Sequence, residues 1–416
     1  MTFQVSKEEG LFYRQTLFDQ ARRIVIKVGS AVLTDTCGLN TEVIGNIARQ
    51  IAFLCSTGRE VILVSSGAVA AGRQRLGISP GNQHFQKEKN SLKVKQALAA
   101  IGQGLLMQAY EHAFAQHDQQ VAQVLLTHSD LSNRNRYLNI RNTILTLFEF
   151  GAVPIINEND TVSVEELRFS DNDTLGALIT NLIGADMFII LTDVDYLSTA
   201  NPTEDVNASP VYTVQTIDKR VEAMAGNTSS LLGTGGMLTK IKAAKMVASC
   251  GGSSFIGPGR NANILQELFS GDQVGTFFLP APEKICGRKH WIAHVLRPKG
   301  YLVIDEGAVC ALVDGGKSLL PSGIIEVRGK FGVGAPLHCL NEKGEAVAAG
   351  LSNYGSVDLD KIKGCNSSRI EPILGYKDSD EAIHRDNLVL MNDIMPGNSA
   401  SYPNSENRSE VRRKKE

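Results

Sequence analysis

Lys27 is the single charge in the run Ile24-Val25-Ile26-Lys27-Val28, and Gly29-Ser30 follow at once. A charge inside a β-branched run is costly to bury, so it either reaches water or faces a charged partner. A second lysine, Lys240, stands in "LLGTGGMLTKIKAAKMVASCGG". There Gly233, Gly235 and Gly236 form a loop whose backbone N–H groups can approach an anion. The helix that starts near Met237 aims its positive end at the same place. Phosphate binding is the chemistry this suits; a surface hinge is the structural alternative. It is not a P-loop, because no Lys-Ser/Thr pair follows a G-x-x-x-x-G. "GPGRNA" at 257–262 fits the dinucleotide pattern only superficially, since no acidic strand end follows about 20 residues on. In "FSDNDTLGALITNLIGAD", Asp171, Asn172 and Asp173 precede an apolar-periodic helix. One of them caps the helix; the others can bind an ammonium group, orient a lysine or hold Mg²⁺.

These residues need elements to position them. "IVIKVG", "EVILVSSG", "VAQVLL", "AVPIINEND", "MFIILTDVD" and "SSFIG" read as strands, with helical stretches between most of them. Val43, Ile44, Ile47, Ile51 and Leu54 fall on one helical face after Asn40, and Gly58 suits the C-terminal cap. Val94, Leu98, Ile101, Leu105 and Ala109 mark a further helix. This alternation predicts an α/β unit with a mainly parallel sheet sandwiched by helices. Ligands then bind outside the carboxyl ends of the strands. Those ends read Lys27-Val28-Gly29-Ser30, Ser65-Ser66-Gly67, Asn157-Glu158-Asn159-Asp160 and Thr192-Asp193. Each alone is ordinary turn chemistry, but together they predict a polar crevice.

Domain boundaries follow from composition. Residues 1–22 form an N-terminal extension and 23–280 the α/β unit, with "LPAPEK" as a linker. Residues 289–375 consist of short apolar runs punctuated by Gly and predict a small all-β barrel. The stretch 391–416 is polar and aperiodic, and is expected to be disordered. The 416 residues are 43% hydrophobic and 21% charged, with a net charge of −2, which predicts no general attraction to nucleic acid or anionic membrane. Seven cysteines (37, 55, 250, 286, 310, 339, 365) include no C-x-x-C pair, which argues for reduced thiols and against a zinc site. The first twenty residues lack the apolar core of a signal peptide, and no run approaches the ~18 apolar residues of a membrane span. A cytoplasmic protein is expected.

The segments "IKVGS", "VSSGAVAAGRQRLG", "INENDTV", "SDNDTLGAL", "LTDVD" and "GTGGMLTK" resemble the amino acid kinase family in order and spacing. "KHWIAH", "IDEGAVCALVDGGKSLLPSGIIEVRGKFGVG" and "GLSNY" resemble a PUA domain, and "HRDNLVL" at 384–390 the end of proteins that carry both. The resemblance implies the amino acid kinase fold with a C-terminal PUA-like barrel. More narrowly it implies the branch that transfers the γ-phosphoryl of ATP, with Mg²⁺, to the γ-carboxylate of L-glutamate, opening proline biosynthesis. A carboxylate is already ionised at neutral pH, so that reaction needs no general base. Its difficulty is an anion approaching a polyanion, and the protein's task is alignment and charge stabilisation.

By the same resemblance, Lys27 reaches the transferring phosphoryl from the first strand end and Lys240 from the Gly-rich helix, while Asp173 orients both. Ser66, Asp160 and Asn172 correspond to the family's glutamate contacts. Ser66 and Asn172 would position carboxylates, and Asp160 would pair the α-ammonium. Asp171 is a second candidate for Mg²⁺ or the ammonium; no residue is assigned as a dedicated metal ligand. Lys27, Gly29, Thr192, Asp193 and the loop Thr234, Gly235, Gly236, Met237, Leu238, Thr239 and Lys240 correspond to ATP-binding segments, and Gly29, Ser30 and Gly67 would offer backbone donors. Tyr196 stands where the family usually has Gly, Ser198 where Tyr is common, and "TANP" at 199–202 replaces "TADP"; these departures bear on nucleotide affinity. The resemblance also implies L-proline as a feedback inhibitor and a homotetramer. PUA domains often bind RNA, but ten Lys/Arg against nine Asp/Glu over 289–375 argue against it and favour a regulatory or assembly module.

Overall fold

The computed structural model describes residues 7–35, 38–78, 92–163, 171–200, 205, 207–225, 236–281 and 298–391. The expected disordered tail, apart from Met391, lies outside them, as do Gly233, Thr234 and Gly235. The chain divides into two compact units, Met1–Lys284 and Ile285–Glu416.

The first unit is built on an eight-stranded sheet. Its strands are β1 (Arg23–Val28), β2 (Glu60–Ser65), β3 (Val121–Leu126), β4 (Val153–Glu158), β5 (Met187–Thr192), β6 (Thr213–Val214), β7 (Ser253–Pro258) and β8 (Thr276–Phe278). Their order is β6-β8-β7-β5-β1-β2-β4-β3. All neighbours pair in parallel except β7 with β8. The near-continuous apolar runs explain the placement: a parallel sheet covered on both faces buries every residue of its central strands. From β1 the chain steps to β2, and after β4 it crosses back to the other side of β1, so the carboxyl ends of β1, β2, β4 and β5 surround one crevice.

The longer helices are α1 (Lys7–Gln20), α2 (Thr41–Ser56), α3 (Ala68–Arg75), α4 (Leu92–Ala115), α5 (Arg134–Glu149), α6 (Asn172–Ile183) and α7 (Met237–Ser249). The N-terminal extension thus contains α1, whose Phe18 is buried with its ring centroid 5.0 Å from that of Phe277. In α2, Asn40 caps the start by accepting the Val43 N–H at 3.1 Å, and Ile44, Ile47, Ile51 and Leu54 face inward. The face expected for α4 is shifted: Ile101 is exposed, and Leu98, Gly102, Leu106 and Tyr110 face inward. The seam with α3 is the cause. A Cβ on Gly102 would lie 1.8 Å from the Ala68 carbonyl oxygen, and one on Gly72 would lie 2.0 Å from that of Leu98. The two glycines let the helix backbones touch, and that contact sets how α4 is rotated.

The second unit holds a five-stranded sheet of β9 (Gly300–Ile304), β10 (Ile324–Arg328), β11 (Pro336–Leu340), β12 (Ala346–Leu351) and β13 (Leu388–Leu390), in the order β10-β9-β11-β12-β13. The "HRDNLVL" segment supplies β13, which pairs antiparallel with β12. Helices Glu306–Val313 and Ser356–Ile362 accompany the sheet and bury Leu312, Leu359 and Ile362 against it. No helix among the described residues is long and apolar enough to cross a membrane.

Candidate active site

Side chains alternate along β1. Ile24, Ile26 and Val28 belong to the core that holds α2 and α4, so Val25 and Lys27 point to the other face, where α6 lies. Gly176 makes that approach close. A Cβ there would fall 2.6 Å from the Phe188 ring and 3.6 Å from Lys27 Cβ. With no side chain at Gly176, the second turn of α6 settles against the Phe188 ring of β5 and Lys27 of β1. Asp171 starts that turn as the N-cap, its Oδ1 accepting the Thr174 N–H at 2.8 Å.

Asp173, one residue into α6, is fully buried and takes both lysines. Lys27 Nζ lies 2.5 Å from Asp173 Oδ1, and Lys240 Nζ lies 3.3 Å from Oδ2. Thr239 Oγ1 also donates to Oδ2, at 3.0 Å. Lys27 and Lys240 are 6% and 5% exposed, so water screens this cluster little. Burial alone would raise the Asp173 carboxyl, but Lys27 and Lys240 together hold it below the usual carboxylate range. Two ammonium groups on one carboxylate leave a net positive charge on this cluster, which suits an incoming anion.

The lysines arrive from different elements. Lys27 comes from the end of β1, and Lys240 from the first turns of α7, whose N-cap is Gly236. Gly236, Met237, Leu238 and Thr239 are half-buried at that helix start. Gly29 does not play the expected part as a backbone donor. Its N–H donates to the Leu191 carbonyl at 3.2 Å, because the pairing of β1 with β5 runs one residue past Val28. Gly67 turns the chain from β2 into α3 at φ +108°, a conformation that favours glycine.

On the other side of the crevice, Asn172 Nδ2 donates to Ser66 Oγ at 2.8 Å, and Asp160 is half-buried two residues beyond the end of β4. Thr192 ends β5, buried, with Oγ1 donating at 3.0 Å to the exposed Asp193. Ser198 is buried in a short strand, and the Tyr196 ring lies 6.5 Å from that of Tyr212. Beyond the expected residues, the crevice also includes Asn157, whose side chain contacts both Asn172 and Gln103. Asn157 stands among the polar strand ends, whereas nothing in the sequence marks Gln103.

The matches to known proteins fit this geometry. Residues 22–256 match the model of the amino acid kinase family, and residues 300–374 that of the PUA domain. The chain belongs to the amino acid kinase family. Among this kinase's relatives, a protein of Desulfotalea psychrophila named glutamate 5-kinase is 56% identical over 91% of this chain and 99% of its own length. Proteins of the same name from Geobacter sulfurreducens and Paraburkholderia phytofirmans are each 49% identical over 91% of this chain and 100% of their own lengths.

Proposed function

We propose that the protein transfers the γ-phosphoryl group of ATP to the γ-carboxylate of L-glutamate, giving L-glutamyl 5-phosphate for proline biosynthesis. The observation that carries this reading is the 56% identity, over 91% of this chain and 99% of the relative, with a protein named glutamate 5-kinase, in a chain whose crevice holds a buried Lys27–Asp173–Lys240 cluster.

In this reading the glutamate carboxylate attacks as it stands, already ionised. Lys27 and Lys240 approach the transferring phosphoryl from β1 and α7, and neutralise charge that spreads over its equatorial oxygens. Asp173 fixes both ammonium groups before substrate arrives, so no reorganisation is needed at the moment of transfer. Thr192, Asp193 and the 234–240 loop hold the nucleotide, while Ser66, Asp160 and Asn172 hold glutamate. Asp173 is committed to two lysines and Thr239, which leaves little for a metal. Asp171 Oδ2, buried and with no hydrogen-bond partner among the described residues, is the carboxylate oxygen that would serve a Mg²⁺ carried in with ATP. When bound, Mg²⁺ supplies further neutralisation of phosphate charge. The reading includes a cytoplasmic, oligomeric enzyme with L-proline as feedback inhibitor. ATP turnover with glutamate, aspartate, N-acetylglutamate and UMP, each with hydroxylamine to trap acyl phosphate, tests the acceptor. The same assay with added proline tests inhibition, and light scattering tests assembly. Signal from an acceptor other than glutamate overturns the reading.

A further inference from the structure

The groups around Asn172 fix which end of its side-chain amide faces a ligand. Its Nδ2 lies 3.2 Å from the Ser65 carbonyl oxygen, 2.8 Å from Ser66 Oγ and 3.1 Å from Asn157 Oδ1. A backbone carbonyl only accepts, so the amide atom against Ser65 must be the nitrogen. The atoms of Asn157 are identified in the same way. Its Oδ1 accepts the Glu158 backbone N–H at 2.9 Å, and that group only donates. Its Nδ2 therefore points away and donates to Gln103 Oε1 at 2.9 Å. Two backbone groups thus identify the nitrogen and oxygen ends of three side-chain amides in series, and the contacts between those amides hold them in place.

The polarity of the crevice follows. Asn172 spends its NH₂ on the protein, so it offers a ligand its carbonyl oxygen, an acceptor. Ser66 Oγ receives a hydrogen bond from Asn172 and keeps its own O–H proton to give, so it is a donor. An acceptor beside a donor matches an α-amino acid, with the ammonium group on Asn172 and a carboxylate on Ser66. This reverses the sequence expectation for Asn172, because a carbonyl oxygen repels a carboxylate. The backing comes from α4. Gln103 closes the relay through Asn157, which is 4% exposed. Tyr110, two turns further on, places its hydroxyl 2.9 Å from Ser65 Oγ, which donates to the Ser66 carbonyl at 3.0 Å.

We infer that Gln103 and Asn157 are positioning residues that hold Asn172 as the acceptor for the substrate's α-ammonium and leave Ser66 as the donor to its carboxylate. The identity of that substrate rests on the reading above; the relay does not. Gln103→Leu removes the acceptor at the end of the relay, whereas Gln103→Glu keeps one. The test compares the KM for glutamate with the inhibition constant of glutarate, which has both carboxylates and no ammonium. Gln103→Leu is expected to raise the glutamate KM by about tenfold or more, the worth of a misaligned hydrogen bond to a charged group. The glutarate constant and kcat are expected to move less than about twofold, and Gln103→Glu to restore the wild-type KM within about threefold. Equal weakening of both ligands, or no change in either, overturns the inference. ¹⁵N–¹H spectra of the ligand-free protein read the relay separately. The Asn157 and Asn172 side-chain NH₂ signals are expected to shift and exchange faster in Gln103→Leu but not in Gln103→Glu. If wild type does not phosphorylate glutamate, the functional reading fails, and these spectra still decide the relay: unmoved signals refute it.

Discussion

Replacing Asp173 by Asn keeps the shape of the cluster and removes its only negative charge. Lys27 and Lys240, 6% and 5% exposed, would then face each other in a site from which water is largely excluded. Removing one partner of a buried ion pair costs about 3–5 kcal/mol, and here one carboxylate serves two cations, so the upper half of that range is expected. The rate should suffer as well. Misplacing one preorganised donor costs about 3 kcal/mol, or a hundredfold, and two lysines lose their anchor together, so kcat should fall by about 10²–10⁴. Urea unfolding followed by circular dichroism reads the first effect, and hydroxamate formation the second. The pH dependence has a defined sign. The Asp173 carboxyl is held below the usual range, so its contribution is fully present above about pH 4 and is lost as pH falls through the folded-state value. The stability gap between wild type and Asp173→Asn should be flat from about pH 8 to 5 and close below about pH 4. A variant as stable as wild type, with kcat within tenfold, refutes the reasoning.

Gly176→Ala places a Cβ 2.6 Å from the buried Phe188 ring and pushes α6 off the sheet one turn from Asp173; it should cost about 1–3 kcal/mol and lower kcat, measured by urea midpoint and turnover. Gly102→Ala meets backbone atoms at 1.8 and 2.4 Å that cannot give way, so its loss on the same urea scale should be the larger, about 3 kcal/mol or more. Burial pushes the Cys339 thiol up to about 12 and Cys55 to about 11, while Cys310 is exposed. A thiol reagent at about pH 8 should therefore label Cys310 in the native protein and Cys339 only after unfolding, as read by peptide mass spectrometry.

Strand and helix placement in the first unit was largely legible, because a buried parallel strand writes itself as an unbroken apolar run. "IVIKVG" and "MFIILTDVD" are such runs, and both lie at the centre of the sheet. The helix start at Asp171 was legible from its capping residues. The rotation of α4 was not. Leu98, Ile101 and Leu105 fit an apolar face, but contact with α3 at Gly72 and Gly102 turned Ile101 outward. The crevice was legible as a set of polar strand ends, yet the bonds inside it were not. Lys240 and Asp173 are 67 residues apart, and Asn157 and Gln103 are 54 apart; only the fold brings them together. The Gly29 N–H was expected to face phosphate. One more rung of strand pairing took it, and strand ends are where sequence patterns carry least information.

In the proposed reaction Lys27 and Lys240, held by Asp173, stabilise the phosphoryl group in transit from ATP to the carboxylate of glutamate. Those roles are tested by hydroxamate formation from ATP, Mg²⁺ and glutamate by wild type, Lys27→Ala and Lys240→Ala, at saturating substrates. Wild type should give glutamyl hydroxamate with glutamate and none with aspartate, and each variant should lose about a hundredfold in kcat. Hydroxamate formed at near wild-type rates by either variant would contradict the role of that lysine.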